Sequence, residues 1–375
     1  MNEREVSELR RRFRPDKSSI SHVLGCYVNE QGEIVARFDQ SLGLMSQEET
    51  EKFLTLLKRT LSGGLGKNLL DIPFTTRQVA EGEEHRQLMT LRDSALKDEE
   101  AVEAFFQKVI RSVQMEGNYL ILLAHDRYDV PYRASDGARQ NDASDQVYSY
   151  ILCSVCPVKP TKPALGYYVA ENEFRTRTAD WLVAPPELGF LFPAFDDRSA
   201  NLYNALYYTR NTAENHPEFV EAVFQTQAPM AADTQKETFQ ALLADSLGEE
   251  CDYDVVQAVH DQLCDLVDEH KHSREDEPLT LSKEVFKGML ECCGVTQERV
   301  EQFDRTFDDQ FGADAGLNPQ NLLQRQMDIR MPDVTIRISP ERSDLVETRV
   351  VDGTRYLMIR VDEGVEVNGV NISIT

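Results

Sequence analysis

Residues 119–125 read YLILLAH, and this stretch contains the longest aliphatic run of the chain. Its first six residues, 119–124, are apolar or aromatic without interruption. A continuous apolar run of this length, rather than an alternating one, predicts a strand that is buried on both faces. The stretch VYSYILCSVCPV at 147–158 is its expected partner, across the polar residues 133–146.

Helices and further strands surround these two strands. A hairpin is predicted around the turn at residues 29–32, and a helix begins at a capping box formed by Ser46 and Glu49. Two more helices are predicted within residues 83–115. The other predicted strands are NLLDIPF at 68–74, LGYYVA at 165–170 and LGFLFPAF at 188–195. We therefore expect residues 18–211 to form an α+β body with a mixed or antiparallel sheet.

Three further segments flank this body. Residues 1–17 predict an amphipathic helix with a basic outer face, which Pro15 ends. Residues 212–325 carry only helical signals and predict an all-helical module. Residues 326–375 predict a small C-terminal β domain of two hairpins, since Asp352-Gly353 and Asn368-Gly369 are dipeptides that favour tight turns.

The charge of the chain is concentrated in the helical module. Residues 212–316 carry 25 acidic and 7 basic residues, a net charge of −18, out of −25 for the whole chain. A surface of this charge repels polyanions, so the module itself is a poor candidate for nucleic-acid binding.

Composition indicates a folded cytoplasmic protein. Hydrophobic residues make up 41% of the chain, which is enough to build cores. Seven cysteines, an odd number, fit reduced thiols better than a disulfide framework. No stretch approaches the roughly 20 apolar residues of a membrane span, and no export signal is recognisable. We expect a cytoplasmic location, no contact with membranes and no bound cofactor.

Carboxylates follow two predicted strands and form the candidate catalytic residues. His125, Asp126 and Asp129 follow the strand at 119–124, and Asp196 and Asp197 follow the strand at 188–195. Grouped oxygens of this kind hold Mg²⁺ or Mn²⁺ in phosphoester hydrolases. The alternative is that loop acids begin turns or cap helices, as Asp197 would for a helix over residues 199–209.

Two features are candidates for binding. Arg10, Arg11, Arg12 and Arg14 form the strongest basic patch of the sequence, which suits either an anionic partner or an acidic surface of the same chain. Trp181 is the only tryptophan and lies in the aromatic-rich region 165–224. Aromatic side chains of this kind anchor partners, although they more often form a core.

Motifs for catalysis or a resident metal ion are missing from the sequence. Cys153 and Cys156 have the spacing of half a zinc site, yet no second pair accompanies them, and residues three apart in a strand face opposite sides. We expect them to be structural cysteines and predict no metal site on them. No GxSxG or HExxH element occurs. The favoured hypothesis is therefore a binding or scaffold protein without catalytic activity. It would bind a protein partner or a second copy of itself.

The chain also resembles a known family. The stretches that carry the resemblance are GCYVNEQGEIVARFDQSLGLM, TLSGGLGKNLLDIPF, EGNYLILLAHDRYDVPYRA, APPELGFLFPAFDDRSANLYNALYYTRN and ISPERSDLVETRVVDGTRYLMIRVDEGVEVNGVNI. They are similar, essentially from end to end, to the bacterial family called domain of unknown function 4317. The resemblance implies a bacterial, cytosolic setting and no particular activity.

A fainter likeness is to bacterial nucleoid-associated proteins of the 37-kilodalton type. Their order also has helices before a strand of the EGNYLILLAHD kind, a helical middle and a terminal β unit. This likeness implies DNA binding, for which the four N-terminal arginines are the candidate contacts. The net charge of −25 disfavours it, because such binding depends on lysine and arginine contacts to phosphate.

Overall fold

The secondary structure mixes α-helices with antiparallel strands, which confirms the α+β class. The computed structural model describes residues 1–133, 139–273, 275, 277–324, 327–339, 342, 345–361, 364–367 and 370–372. The α-helices are α1 Glu3–Arg10, α2 Gln47–Arg59, α3 Thr76–Glu81, α4 Glu83–Asp93, α5 Glu99–Ser112, α6 Pro217–Phe224, α7 Ala232–Leu247, α8 Tyr253–Ser273, α9 Lys283–Cys292, α10 Gln297–Phe311 and α11 Pro319–Leu322.

Most of the described strands lie before residue 210. The strands are β1 His22–Val28, β2 Ile34–Ser41, β3 Leu69–Pro73, β4 Tyr119–Arg133, β5 Arg139–Pro160, β6 Ala164–Tyr168, β7 Glu173–Arg177, β8 Trp181–Val183, β9 Leu188–Phe192, β10 Ala194–Asp196, β11 Ser199–Asn201, β12 Asn204–Thr209, β13 Met327–Met331, β14 Val334–Ile338, β15 Val346–Val351, β16 Thr354–Ile359, β17 Val365–Val367 and β18 Val370–Ile372.

One large sheet organises residues 22–209. Its strands follow the order β2-β1-β4-β5-β9-β12-β3, with β8 paired to the end of β5. The described pairings within it are antiparallel. β4 and β5 lie at its centre and pair with each other as predicted, with Ile121 opposite Val155.

Helices cover both faces of the sheet, which explains why the centre of β4 is apolar without interruption. Side chains of β4 alternate between the two cores: Ile121 and Leu123 lie in one, and Leu120 and Leu122 in the other. The first core contains residues of α4, α5 and α6, and we call this side the α5 face. The second contains residues of α1 and α2, and we call it the α1 face.

The cysteine pair obeys the same alternation. Cys153 is buried in the core of the α5 face and Cys156 in the core of the α1 face. Burial raises the pKa of the Cys153 thiol well above its ordinary value, and it raises the pKa of Cys156 to about 12. The two thiols are therefore separate core residues, as the strand spacing predicts.

The described contacts divide the chain into two units. The first is Met1–Gln235 with Arg274–Pro278, and it contains the large sheet and α6. The second is Lys236–Ser273 with Leu279–Thr375. Its helices pack around an aromatic core that includes Phe239, Phe286 and Phe303. The four segments proposed from the sequence stay a prediction.

Two details differ from the sequence predictions. Residues 199–209 form β11 and β12 rather than a helix capped by Asp197, and Asp197 instead lies in the turn between β10 and β11. The C-terminal region contains the hairpins β13–β14, β15–β16 and β17–β18, so two hairpins were too few. The turn at Asn368-Gly369 lies outside the described residues.

Candidate functional site

The N-terminal segment docks on the α1 face through an apolar stripe. α1 begins at a capping box formed by Asn2 and Glu5. Val6, Leu9 and Phe13 then repeat at helical spacing, and all three are buried in the core of that face. This docking brings the arginines that follow α1 to the middle of the sheet.

Arg12 and Asp126 form the central polar contact of this region. The Arg12 guanidinium donates to both carboxylate oxygens of Asp126, and the closest distance, from Nη2 to Oδ2, is 3.0 Å. The Asp126 side chain is 1% exposed and that of Arg12 13% exposed. A buried carboxylate needs such a partner, because isolation from water is otherwise very costly for its charge.

The remaining bonding positions of Asp126 are also filled. The Tyr150 hydroxyl donates to Oδ2 over 2.8 Å, and the backbone amides of Ser19 and Arg127 donate to Oδ1. Burial, together with the neighbouring Asp126, holds the pKa of Tyr150 well above its ordinary value. Asp126 thus ties β4, β5 and the segment after α1 together.

A second pair lies beside the first. Arg198, in the turn between β10 and β11, donates from Nη1 to both oxygens of Glu8, at 2.9 and 2.7 Å. Its Nη2 donates to the carbonyl of Pro131. The Tyr128 hydroxyl also donates to Glu8, and burial followed by this contact raises the pKa of Tyr128 to about 12.

The turn that carries Arg198 has an unusual backbone. Asp197 and Arg198 both adopt left-handed conformations, with φ of +48° and +60°. Residues with a side chain rarely adopt this region, and they persist there only when their surroundings hold them. The three bonds that Arg198 makes to Glu8 and Pro131 are such surroundings.

The five candidate catalytic residues are only partly brought together. Asp126 and Asp196 both lie close enough to Tyr148 to raise its pKa further, after burial, which is the main cause. Asp196, however, forms an ion pair with the amine of Met1 at 2.6 Å and accepts from Asn201. Asp197 is exposed in its turn.

His125 and Asp129 lie apart from Asp126. Successive strand residues point to opposite faces, so both belong to the α5 side of β4, whereas Asp126 lies on the α1 side. His125 makes a 2.8 Å contact with the Ser149 hydroxyl, and burial lowers its pKa. Within the described ranges, no three His, Cys, Asp or Glu side chains are grouped so that they could hold a metal ion. The hydrolase site stays a prediction.

The four candidate arginines have different surroundings. Arg10 donates to the carbonyls of Leu61 and Gly63 just after α2, and Arg12 is bound to Asp126. Arg11 and Arg14 are exposed, and their side chains make no ion pair among the described residues. Two of the four basic side chains therefore hold the chain's own fold together.

A cavity of about 290 Å³ opens where these elements meet. Its lining comes from the end of α1, the loop after it, β4 and the β10–β11 turn. The lining residues are Glu8, Arg11, Arg12, Lys17, Tyr128, Pro131 and Arg198.

The aromatic-rich region divides into a buried and an exposed part. Phe190, Phe192 and Phe224 are fully buried in the core of the α5 face. Trp181 is 56% exposed on β8, and the hairpin of β6 and β7 exposes Tyr167 and Phe174. The predicted binding aromatic thus belongs to an exposed segment that follows β5.

Sequence reasoning missed Glu8, Tyr128 and Tyr150. One signal was available, because Glu8 and Arg12 are four residues apart, a spacing that places charged side chains on one side of a helix. Arg12 pairs with Asp126 of β4 and Glu8 pairs with Arg198 of the β10–β11 turn, each more than 100 residues away, and no local pattern identifies these partners.

No helix among the described residues is long and apolar enough to cross a membrane.

Comparison with known proteins identifies a family. No curated protein and no solved structure matches the chain. A family model with the description "Domain of unknown function (DUF4317)" matches residues 1–370. Because this match spans nearly the whole sequence, the chain belongs to that family.

Proposed function

We propose that the protein is a bacterial cytosolic binding protein that associates with a second copy of itself, and that it works through this contact rather than through catalysis. The observation that carries the proposal is the exposed apolar face of the β6–β7 hairpin. The seven cysteines, all of them unpaired, support a reducing compartment.

The two faces of this hairpin differ in chemistry. Leu165, Tyr167 and Phe174 lie on one face, because Tyr167 is opposite Phe174 and Leu165 is two residues before Tyr167. Leu165 is 72% exposed and Phe174 70% exposed. The other face carries Arg175, whose guanidinium lies 4.4 Å from the centre of the Tyr168 ring. Adjacent exposed apolar residues on one face are typical of a contact surface.

A second copy is a suitable partner for physical reasons. A hairpin of two strands has unpaired backbone groups along both edges and is marginally stable alone in water. An identical hairpin supplies both a complementary edge and an identical apolar face. Two copies related by a two-fold axis would therefore cover each other's apolar hairpin faces. β8 pairs with β5, so the chain on either side of the β6–β7 hairpin is joined to the large sheet. This supports a fixed position for the start and the end of the hairpin.

The surroundings of the candidate carboxylates also favour binding over catalysis. Asp126 accepts from Arg12, Tyr150 and two backbone amides, and these bonds occupy the oxygens that a metal ion would need. Its geometry is that of a structural carboxylate.

The test is the mass of the protein in solution. Wild type, Leu165→Ser/Phe174→Ser and the control Leu44→Ser would be compared by light scattering and sedimentation over a range of concentrations. Leu44 is 91% exposed but lies outside the hairpin, so its change removes apolar surface elsewhere. We expect a dimer for wild type and control and a monomer for the double variant.

A wild type that remains monomeric at all concentrations would show that self-association is wrong. The same three proteins, immobilised and exposed to native cytosol, would then test for a different protein partner. If wild type and the double variant captured the same partner proteins in equal amounts, the hairpin would not be the binding surface.

DNA binding of the nucleoid-associated kind is the second candidate. Arg11, Arg14 and Lys17 are exposed and close in sequence, which favours it. Arg10 and Arg12 are engaged within the chain, so neutralising them would damage the fold rather than a DNA contact. Salt-dependent binding that weakens in Arg11→Ala/Arg14→Ala would support this function, and no binding at low salt would end it.

A further inference from the structure

We propose that the cavity lined by Arg11, Arg12, Lys17 and Arg198 binds the phosphoryl group of a small molecule. We call it the N-terminal cavity. It is separate from the β6–β7 hairpin, so the inference goes beyond the proposed self-association and does not depend on it.

The charges around the N-terminal cavity favour an anion. Four cationic side chains line it, against the single carboxylate of Glu8. That carboxylate is bound by Arg198, and the carboxylate of Asp126 is bound by Arg12. The side chains of Arg11 and Lys17 make no ion pair with any described residue and leave two positive charges uncompensated at one cavity.

Two of the four cations are held in place before any ligand arrives. The Arg12 guanidinium lies 4.2 Å from the centre of the Tyr128 ring and is bound to Asp126. Arg198 is held by Glu8 and Pro131. Groups that are already ordered lose little conformational freedom on binding, so this arrangement lowers the entropic cost of capturing a ligand.

Donors remain available on both guanidiniums. An arginine has five N–H donors, and the described bonds of Arg12 use only Nε and Nη2. Those of Arg198 use only Nη1 and Nη2. Arginine donors suit the oxygens of phosphate, and lysine adds a compact point charge.

The size of the cavity limits the ligand. A volume of about 290 Å³ is just below the roughly 300–1,000 Å³ typical of sites for drug-sized molecules. A phosphoryl group with a short attachment suits this space. The left-handed Asp197 and Arg198 add a second indication, because strained backbone that the surroundings hold in place is enriched at ligand sites.

The experiment titrates the full-length protein with inorganic phosphate at constant ionic strength by calorimetry. Wild type should show saturable binding. The affinity for phosphate should be at least about tenfold lower in Arg11→Ala/Lys17→Ala, because each hydrogen bond to a charged group contributes about a factor of ten in affinity. Both residues are exposed and without described ion pairs, so their removal should leave the fold intact, which circular dichroism checks.

The matched control is Arg77→Ala/Lys97→Ala. It also removes one arginine and one lysine, but from positions that do not line the N-terminal cavity. The Arg77 side chain is 89% exposed. Unchanged binding in this control supports a specific site. Equal weakening in both double variants, or no saturable binding to wild type at millimolar phosphate, would overturn the proposal.

A second titration with glycerol 3-phosphate distinguishes the sources of the phosphoryl group. Tighter binding of this monoester than of inorganic phosphate supports the cavity as a site for phosphorylated small molecules. Binding of inorganic phosphate alone would restrict the site to the free ion and overturn the wider assignment.

Discussion

Arg12 and Asp126 are separated by 114 residues in the chain and meet as an ion pair with an Nη2–Oδ2 distance of 3.0 Å. We expect Asp126→Asn to lower the free energy of unfolding by about 3 kcal/mol, because the change leaves a largely buried guanidinium without its counter-charge. Urea denaturation measures this loss. The control is Asp129→Asn, on an exposed residue of the same strand, which should stay within about 0.5 kcal/mol of wild type. Equal stabilities of the two variants would refute a structural role for the pair.

Stability should fall in mildly basic solution because of Cys156. Burial raises the pKa of this thiol from 9.0 to about 12, so the folded chain keeps a proton that the unfolded chain loses above pH 9. Unfolding therefore becomes easier as the pH rises through this window, by about 1 kcal/mol between pH 8 and pH 10 for this group alone.

The variant Cys156→Ala tests this directly. Its stability should depend less steeply on pH over the same interval, whatever its absolute stability. Cys292→Ala, at an exposed thiol, provides the control and should keep the wild-type slope. Identical slopes for all three proteins would contradict the buried-thiol account.

The thiols should also differ in chemical reactivity. Cys26, Cys153 and Cys156 are buried, and burial raises the pKa of each, so the reactive thiolate is rare and inaccessible. Cys292 is exposed. We expect iodoacetamide to modify Cys292 first in the native protein and the three buried thiols only in urea. Mass spectrometry after proteolysis measures the order, and early modification of Cys153 would argue against the core position of β5.

The turn between β10 and β11 allows a stabilising substitution. Asp197 is exposed and has a φ of +48°, a conformation that glycine adopts without steric cost. Asp197→Gly should raise the free energy of unfolding by about 0.5–1 kcal/mol, whereas Asp197→Ala should lower it. Thermal unfolding of the two variants checks the prediction. A glycine variant less stable than the alanine variant would mean that the Asp197 side chain makes a contribution of its own.

The central strands were predictable because both of their faces are buried in apolar cores. β4 is buried on both faces, so every residue from 120 to 124 must be apolar, and this leaves a pattern within the sequence itself. The capping box at Ser46 and Glu49 is equally local, and α2 begins there as predicted. Patterns within a few residues therefore identified these elements.

The misassigned segment shows the opposite case. Residues 199–209 follow an acidic residue that could cap a helix, yet β12 pairs with β9 on one side and with β3 on the other. Those partners lie before it in the chain, β3 by more than 130 residues, and their pairing overrides the local signal.

The binding aromatics were ambiguous for a related reason. Phe174 and Phe190 belong to the same aromatic-rich region of the sequence, but β7 reads EFRTR and β9 reads LGFLF, and of the two only Phe190 is covered by helices, among them α6. The sequence near each residue does not specify which helix packs over it. The same holds for the Arg12–Asp126 pair, because it depends on where α1 docks on the completed sheet.

The docking of α1 also has a consequence for the order of events during translation. Val6 and Leu9 leave the ribosome early, whereas β5, which contributes Tyr150 to the Asp126 contact, is made much later. At typical synthesis rates of about 5–20 residues per second, the delay is on the order of ten seconds. Throughout that interval the core around the apolar stripe of α1 lacks the residues that β5 contributes, so the nascent chain presents an incompletely covered hydrophobic segment to chaperones until the centre of the sheet has emerged.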